Sequence, residues 1–207
     1  MREIQIPISP ETIRELHVGD TAALTGVLVT GRDAVHKWMV ETFIQETREP
    51  EGDDREVYQA LQPILDESLI YHCGPVVAGL ETGDYRFVAA GPTTSIREEP
   101  YQSAVMHHFN LRGVIGKGGM GAKTLQACRD LPAAYFHAVG GAATLIAESV
   151  EEVLDVHKLA FGVPEAIWVL KVKRFPVVVT MDAHGKSIHD QVQARSEAAF
   201  QELIGSS

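Results

Sequence analysis

The chain is short of three things, and each shortage excludes a class of function. Cysteine is the first: 207 residues contain two, Cys73 and Cys128, far apart and in no CxxC or zinc-type spacing. Two thiols cannot build a disulfide framework or hold an iron–sulfur cluster in the usual way, so they read as buried, reduced side chains of a cytoplasmic protein. Positive charge is the second. Lys and Arg number 18 against 28 Asp and Glu, a formal net charge of −10. That removes the cationic footprint which phosphate backbones require, and no nucleic-acid partner is expected. Long apolar runs are the third. The longest nearly apolar stretch, residues 138–147, is far below the about 20 residues that span a bilayer. The opening MREIQIPISPETI lacks the apolar region of a secretory signal, so no membrane partner is expected either.

What remains is an ordinary globular balance, 45% hydrophobic and 22% charged, of a length that suits one domain over residues 1–207. Ser9-Pro10 predicts an N-cap with proline at the first helical position. The β-branched and small residues from 21 to 29 predict a strand. Val35, Trp38, Met39, Thr42 and Phe43 recur at helical spacing and mark one buried helix face. Residues 48–56, charged and holding Pro50 and Gly52, predict a surface insertion. A helix over 57–65 and strands at 69–72 and 85–90 follow. A strand, glycine-containing loop, helix unit is expected three times, at 87–91, 113–121 and 134–141. Two strands, 167–173 and 177–181, and an acidic helical tail over 190–207 close the chain. Strands in both hairpin-like and helix-connected order predict a layered α/β fold with a mixed sheet.

Three loops carry candidate chemistry: Gly91-Pro92-Thr93-Thr94-Ser95, Gly116-Lys117-Gly118-Gly119-Met120-Gly121 and Gly140-Gly141-Ala142-Ala143. Each would offer backbone N–H groups at a helix start, where hydrogen bonding and the helix dipole both favour an anion. The plain alternative is three tight turns. The second loop also fits GxGxxG, but the strand expected next reads AAYFHAV and has no acid to hold a ribose. Nor is it a P-loop, because Gly118 follows Lys117 where Ser or Thr is required. Lys117, flanked by glycines at a strand end, suits a carboxylate or a neighbour whose pKa must fall. Arg32 at a strand–helix junction and Arg97 one turn after Thr94 suit the two carboxylates of a small diacid, since guanidinium binds each through two parallel hydrogen bonds. Asp33 and His36 follow Arg32 at helical spacing. The nine histidines otherwise show no metal-ligand logic, and no metal site is expected on this chain.

At these residues a resemblance takes over. The segments 26–37 (GVLVTGRDAVHK), 71–75 (YHCGP), 91–101 (GPTTSIREEPY), 113–121 (GVIGKGGMG), 139–143 (VGGAA) and 162–184 resemble, in order, the β subunit or C-terminal domain of class I fumarases and L(+)-tartrate dehydratases. The resemblance implies a swivelling β/β/α domain docked on a larger α subunit. That partner would carry a 4Fe-4S cluster, and the substrate would be a small dicarboxylate. It also implies that Thr93 is the catalytic base, with Lys117 beside it. Arg32 and Arg97 would bind substrate carboxylates, with Thr94, Gly116 and Gly118 lining the same loops, and His36 and Asp33 are additional candidates from the RDxxH run. Where many single-chain fumarases read AGRMDPY, this chain has SIREEPY. GKGGMG occurs in tartrate dehydratases and in two-subunit fumarases alike, while the Gly140-Gly141-Ala142-Ala143 loop is more similar to fumarase. Fumarate, tartrate and mesaconate therefore stay open as substrates. So do a homodimer and an α2β2 assembly as oligomeric states, and a stand-alone anion- or dinucleotide-binding module as a reading of another class.

Overall fold

The computed structural model describes residues 1–205. In chain order the elements are β1 (Arg2–Gln5), α1 (Pro10–Arg14), β2 (Thr21–Thr30) and α2 (Asp33–Met39), which runs on as a π-helical turn Val40–Ile44. Next come α3 (Asp54–Leu65), β3 (Leu69–Tyr71), β4 (Val76–Ala78) and β5 (Arg86–Ala89). A 3-10 turn Ser95–Glu98 then leads into α4 (Glu99–Phe109), followed by β6 (Gly113–Gly116), α5 (Ala122–Asp130), β7 (Ala134–His137) and α6 (Ala143–Ala147). The chain closes with β8 (Val150–His157), a 3-10 turn Leu159–Phe161, β9 (Ile167–Met181) and α7 (Ile188–Gly205).

β1, β2, β3, β6 and β7 lie side by side and parallel. β9 runs antiparallel to β7 and, along its other edge, to β2. The sheet therefore closes on itself through β2, β3, β6, β7 and β9, while β8 pairs with the first half of β9. Period-two patterning explains the two cores. Leu69, Tyr71, Ile115, Ala134 and Phe136 face an interior shared with Trp168 and Phe175. Their neighbours Ile70, Val114 and Tyr135 face the layer under α2, α3, α4 and α5. Strands buried on both faces are what parallel pairing between helices requires. Trp38 and Met39 lie in that second core, on the helix face that the spacing marks.

Three expectations need correction. The two strands at 167–173 and 177–181 are one strand, β9. Arg174 enters the left-handed region, with φ 53°, yet pairing with β2 continues past it, with Pro176 opposite Ala23. The strand at 87–91 is no member of a repeated strand–loop–helix unit: β5 forms a separate antiparallel hairpin with β4. The stretch 48–56 is not wholly a surface insertion, because α3 begins at Asp54. That carboxylate is buried, accepting Trp38 Nε1 at 2.9 Å and pairing with Lys158 at 2.5 Å. At the other end, the tail expected over 190–207 is helical through residue 205, and its last two residues lie outside the described ones.

Candidate functional site

The C-terminal ends of parallel strands are where α/β sheets, open or closed, place ligands, and here four such ends share one rim. β2 delivers Gly31 and Arg32, β3 delivers His72 and Gly74, β6 delivers Lys117, and β7 delivers residues 138–142. Between the diverging ends of β3 and β6 the segment 92–95 is wedged like a short strand. Thr93 N donates to His72 O at 2.7 Å, Lys117 N to Thr93 O at 3.3 Å, and Ser95 N to Lys117 O at 3.1 Å. Bridges Cys73–Pro92 and Thr94–Lys117 complete the splice. Thr93 and Lys117 are thus backbone neighbours although 24 positions separate them in sequence. The Lys117 stem passes Gly140, where an added Cβ would stand 3.7 Å from Lys117 Cδ. Thr93 Oγ1, Lys117 Nζ and the Arg97 guanidinium make no hydrogen bond or ion pair among the described residues.

Arg32 is held differently. Its guanidinium pairs with Glu165 at 3.1 Å and lies over Gly74, where a Cβ would collide with it. Asp33 is exposed at the first turn of α2, Thr94 is exposed, and Arg97 is exposed on the 3-10 turn. Gly118 is exposed at φ +81° with nothing within 4 Å of an added Cβ, an open approach to the backbone. Next to Arg97, Glu98 is buried and its Oε2 has no hydrogen-bond partner among the described residues. Burial and the nearby Asp33 carboxylate push its carboxyl up to about 8, against the opposing pull of Arg32.

Two expectations about backbone do not hold. The start of α5 is not free to receive an anion, because Glu99 occupies it. Its carboxylate accepts Gly121 N at 2.8 Å, Lys123 N at 3.0 Å and Thr124 N at 3.3 Å. A dinucleotide pyrophosphate would have to displace an internal carboxylate, so the GxGxxG reading loses its phosphate seat. Gly116 does not open onto the rim either. It is buried, and a Cβ there would collide with Ser95 Oγ and stand 3.0 Å from Tyr135 Oη and 3.2 Å from His72 Nδ1.

Comparison with known proteins now has geometry to refer to. The family model described as "Fumarase C-terminus" matches residues 2–192. The chain belongs to the fumarase C-terminus family. A Geobacillus stearothermophilus protein provisionally named fumarate hydratase class I is 47% identical over 93% of this chain, which spans only 34% of that protein's length. The L(+)-tartrate dehydratase subunit beta of Escherichia coli is 36% identical over 88% of this chain and 83% of its own length. A provisionally named L(+)-tartrate dehydratase subunit beta of Methanocaldococcus jannaschii is 34% identical over 96% of both chains.

This fumarase C-terminus domain does not supply ligands that fit an iron–sulfur cluster. Cys73 sits in the interior core and Cys128 in the helix-side core. Burial pushes both thiols up to about 12, so neither is a ready thiolate. Among the described residues no group of three or more His, Cys, Asp and Glu side chains could hold a metal ion, and no helix is long and apolar enough to cross a membrane.

Sequence reasoning overlooked the buried polar residues beneath the rim. His72, Ser95 and Gln102 are all fully buried. His72 Nδ1 meets Ser95 Oγ at 2.9 Å, His72 Nε2 meets Gln102 Oε1 at 2.8 Å, and Tyr135 Oη donates to Ser95 Oγ at 2.9 Å. The available signal was YHCGP itself: a histidine at the end of an otherwise apolar buried strand requires polar partners.

Proposed function

We propose that this chain is the β subunit of a two-subunit iron–sulfur hydro-lyase that interconverts fumarate and (S)-malate in the cytoplasm. On this reading it is inactive without an α subunit that brings the 4Fe-4S cluster. The observation that carries the reading is the backbone splice of Thr93-Thr94 onto Lys117 at the rim of the parallel strands, which brings two residues with unengaged side chains, Thr93 and Lys117, into one place. Arg32 and Arg97 bind the two substrate carboxylates. In the dehydration direction Thr93 Oγ takes the proton from the carbon beside one carboxylate while hydroxide departs from the adjacent carbon. A threonine hydroxyl is a weak base at neutral pH, so it needs the cationic Lys117 beside it to favour its alkoxide.

The need for a partner is supported by the Escherichia coli relative, which is itself named as one subunit of its enzyme. It is also supported by the exposed apolar side chains on the site loops, Ile96 between Thr94 and Arg97, and Val139 beside Gly140. Tartrate dehydration is the second reading, favoured by a separate β subunit of similar extent in Escherichia coli. Co-expression with the α subunit under anoxic conditions, followed by parallel assays on fumarate, L(+)-tartrate and mesaconate, tests both. Hydration of fumarate at the highest kcat/KM supports the first reading and preference for tartrate the second. No turnover of any diacid by an intact, cluster-loaded complex rejects both.

A further inference from the structure

His72 is joined to the site by its backbone and its side chain together. Its carbonyl accepts Thr93 N at 2.7 Å and its N–H donates to Ile115 O at 2.8 Å, two residues ahead of Lys117. The ring reaches Ser95 on one side and Gln102 on the other. The chemistry of the partners fixes every direction. Gln102 Oε1 can only accept, so His72 Nε2 carries the proton and Nδ1 is the acceptor. Ser95 then donates to Nδ1 while accepting from Tyr135 Oη. On the far side, His36 Nδ1 lies 3.0 Å from the Arg32 carbonyl, which likewise can only accept, so His36 Nε2 is bare. The Gln102 amide interacts with the His36 ring and raises its basicity, though His36 Nε2 and Gln102 Nε2 each lack a close hydrogen-bond partner among the described residues. The His36 and His72 rings meet edge to face at 5.1 Å. Gly116 must be glycine for Ser95 Oγ to stand where it does.

We propose that His72 is a positioning residue, the hub of a one-directional hydrogen-bond chain from Tyr135 through Ser95 and His72 to Gln102, packed edge to face on His36, that holds the Thr93, Lys117 and Arg32 loops in register. The hydrogen-bond chain touches the Thr93 and Lys117 loops, His36 relays the ring contact to the Arg32 carbonyl, and no member of the chain is placed to contact substrate. Its ordering depends on the His72 ring being neutral, because a protonated His72 would present two donors and turn the Ser95 hydroxyl around. Burial favours that neutral state, holding both rings below the ordinary histidine range. Of the charged groups around the pair, Asp33 on α2 favours a proton on His36, and Asp33 and Arg32 in turn act on Glu98. The kinetic consequence rests on the hydro-lyase reading; the proton placement does not.

Two measurements test the hub separately from that reading. Imidazole nitrogen NMR of the chain should show His72 protonated on Nε2 and His36 on Nδ1, with neither ring titrating near pH 6.5. A His72 proton on Nδ1, or ordinary titration, overturns the proposal even if the complex is fully active. In the reconstituted complex, His72→Leu should lower kcat about 100-fold with KM within about threefold, and His72→Asn, whose amide oxygen can replace Nδ1 as acceptor, should recover roughly tenfold of that loss. A folded His72→Leu complex with kcat within about twofold of the parent overturns the proposal. Should His72→Leu fail to fold, Ser95→Ala removes one hydroxyl from the same chain: a kcat loss of about tenfold supports the hub, and an unchanged kcat overturns it. A parent complex without hydro-lyase activity would retire the functional reading and leave the hub to be judged on its protons.

Discussion

Thr124 Oγ1 donates to Glu99 Oε2 at 2.6 Å, joining the first turn of α5 to the first turn of α4. The same carboxylate takes three backbone N–H groups, so one side chain neutralises the positive end of a nine-residue helix. Glu99→Ala should therefore cost about 1–2 kcal/mol of stability. At roughly 2–4 °C per kcal/mol for a chain of this size, the loss is visible as a lowered midpoint in a thermal melt. Calorimetry with NAD on the parent chain should give no binding heat.

Thr93→Ala and Lys117→Ala should each reduce kcat of the complex about 10²–10⁴-fold, the usual range for losing a positioned proton-transfer group or its activator. Both positions are only partly buried, so size-exclusion and melting profiles should match the parent. Either variant retaining full turnover would remove that residue from its assigned role.

The two arginines should respond differently to replacement by lysine. Arg97 is unengaged among the described residues, so Arg97→Lys should act mainly through KM, raising it about tenfold by loss of two-pronged carboxylate binding. Arg32 also pairs with Glu165 and reaches Pro164 O at 3.4 Å. Arg32→Lys should therefore lower the melting temperature as well as raise KM, and Glu165→Gln should reproduce only the loss of thermal stability.

Stability should depend on pH through two opposing groups. Glu98 binds its proton more tightly folded, at about 8, than at its ordinary 4.5. Between those values the unfolded chain releases a proton that the folded one keeps, so stability declines as pH rises from 4.5 to 8. Glu98→Gln should abolish that decline and leave the variant more stable than the parent at pH 8. His36 and His72 are held below 6.5, so the unfolded chain gains protons that the buried rings refuse, and stability falls as pH drops below 6.5. Each ring contributes up to about 1.4 kcal/mol per pH unit there. Denaturant titrations at a series of pH values resolve both limbs.

What the sequence made legible was local. Ser9-Pro10 opens α1 by capping Thr12 N, the repeat through Val35, Trp38 and Met39 is the buried face of α2, and β2 follows its β-branched run. The family motifs also mark the loops that the strand ends bring together. What escaped is long-range. β8, with the exposure of an edge strand, has no clean alternation to announce it. Residues 167–181 read as two strands, although β9 continues past Arg174 and Pro176 opposite β2. Glu99 closes the start of α5 from 22 positions upstream, which no pattern in the loop itself could reveal. The role of Gly116 follows only from Ser95, a residue brought against it by tertiary structure.

Because β9 bonds to both β2 and β7, the strands bearing the rim are hooped like the staves of a cask. No stave can swing from its neighbour without breaking backbone hydrogen bonds. The backbone segments that carry Arg32, Thr93 and Lys117 are tied to those staves, so on the proposed hydro-lyase reading admitting a diacid falls to the surface that stands opposite them.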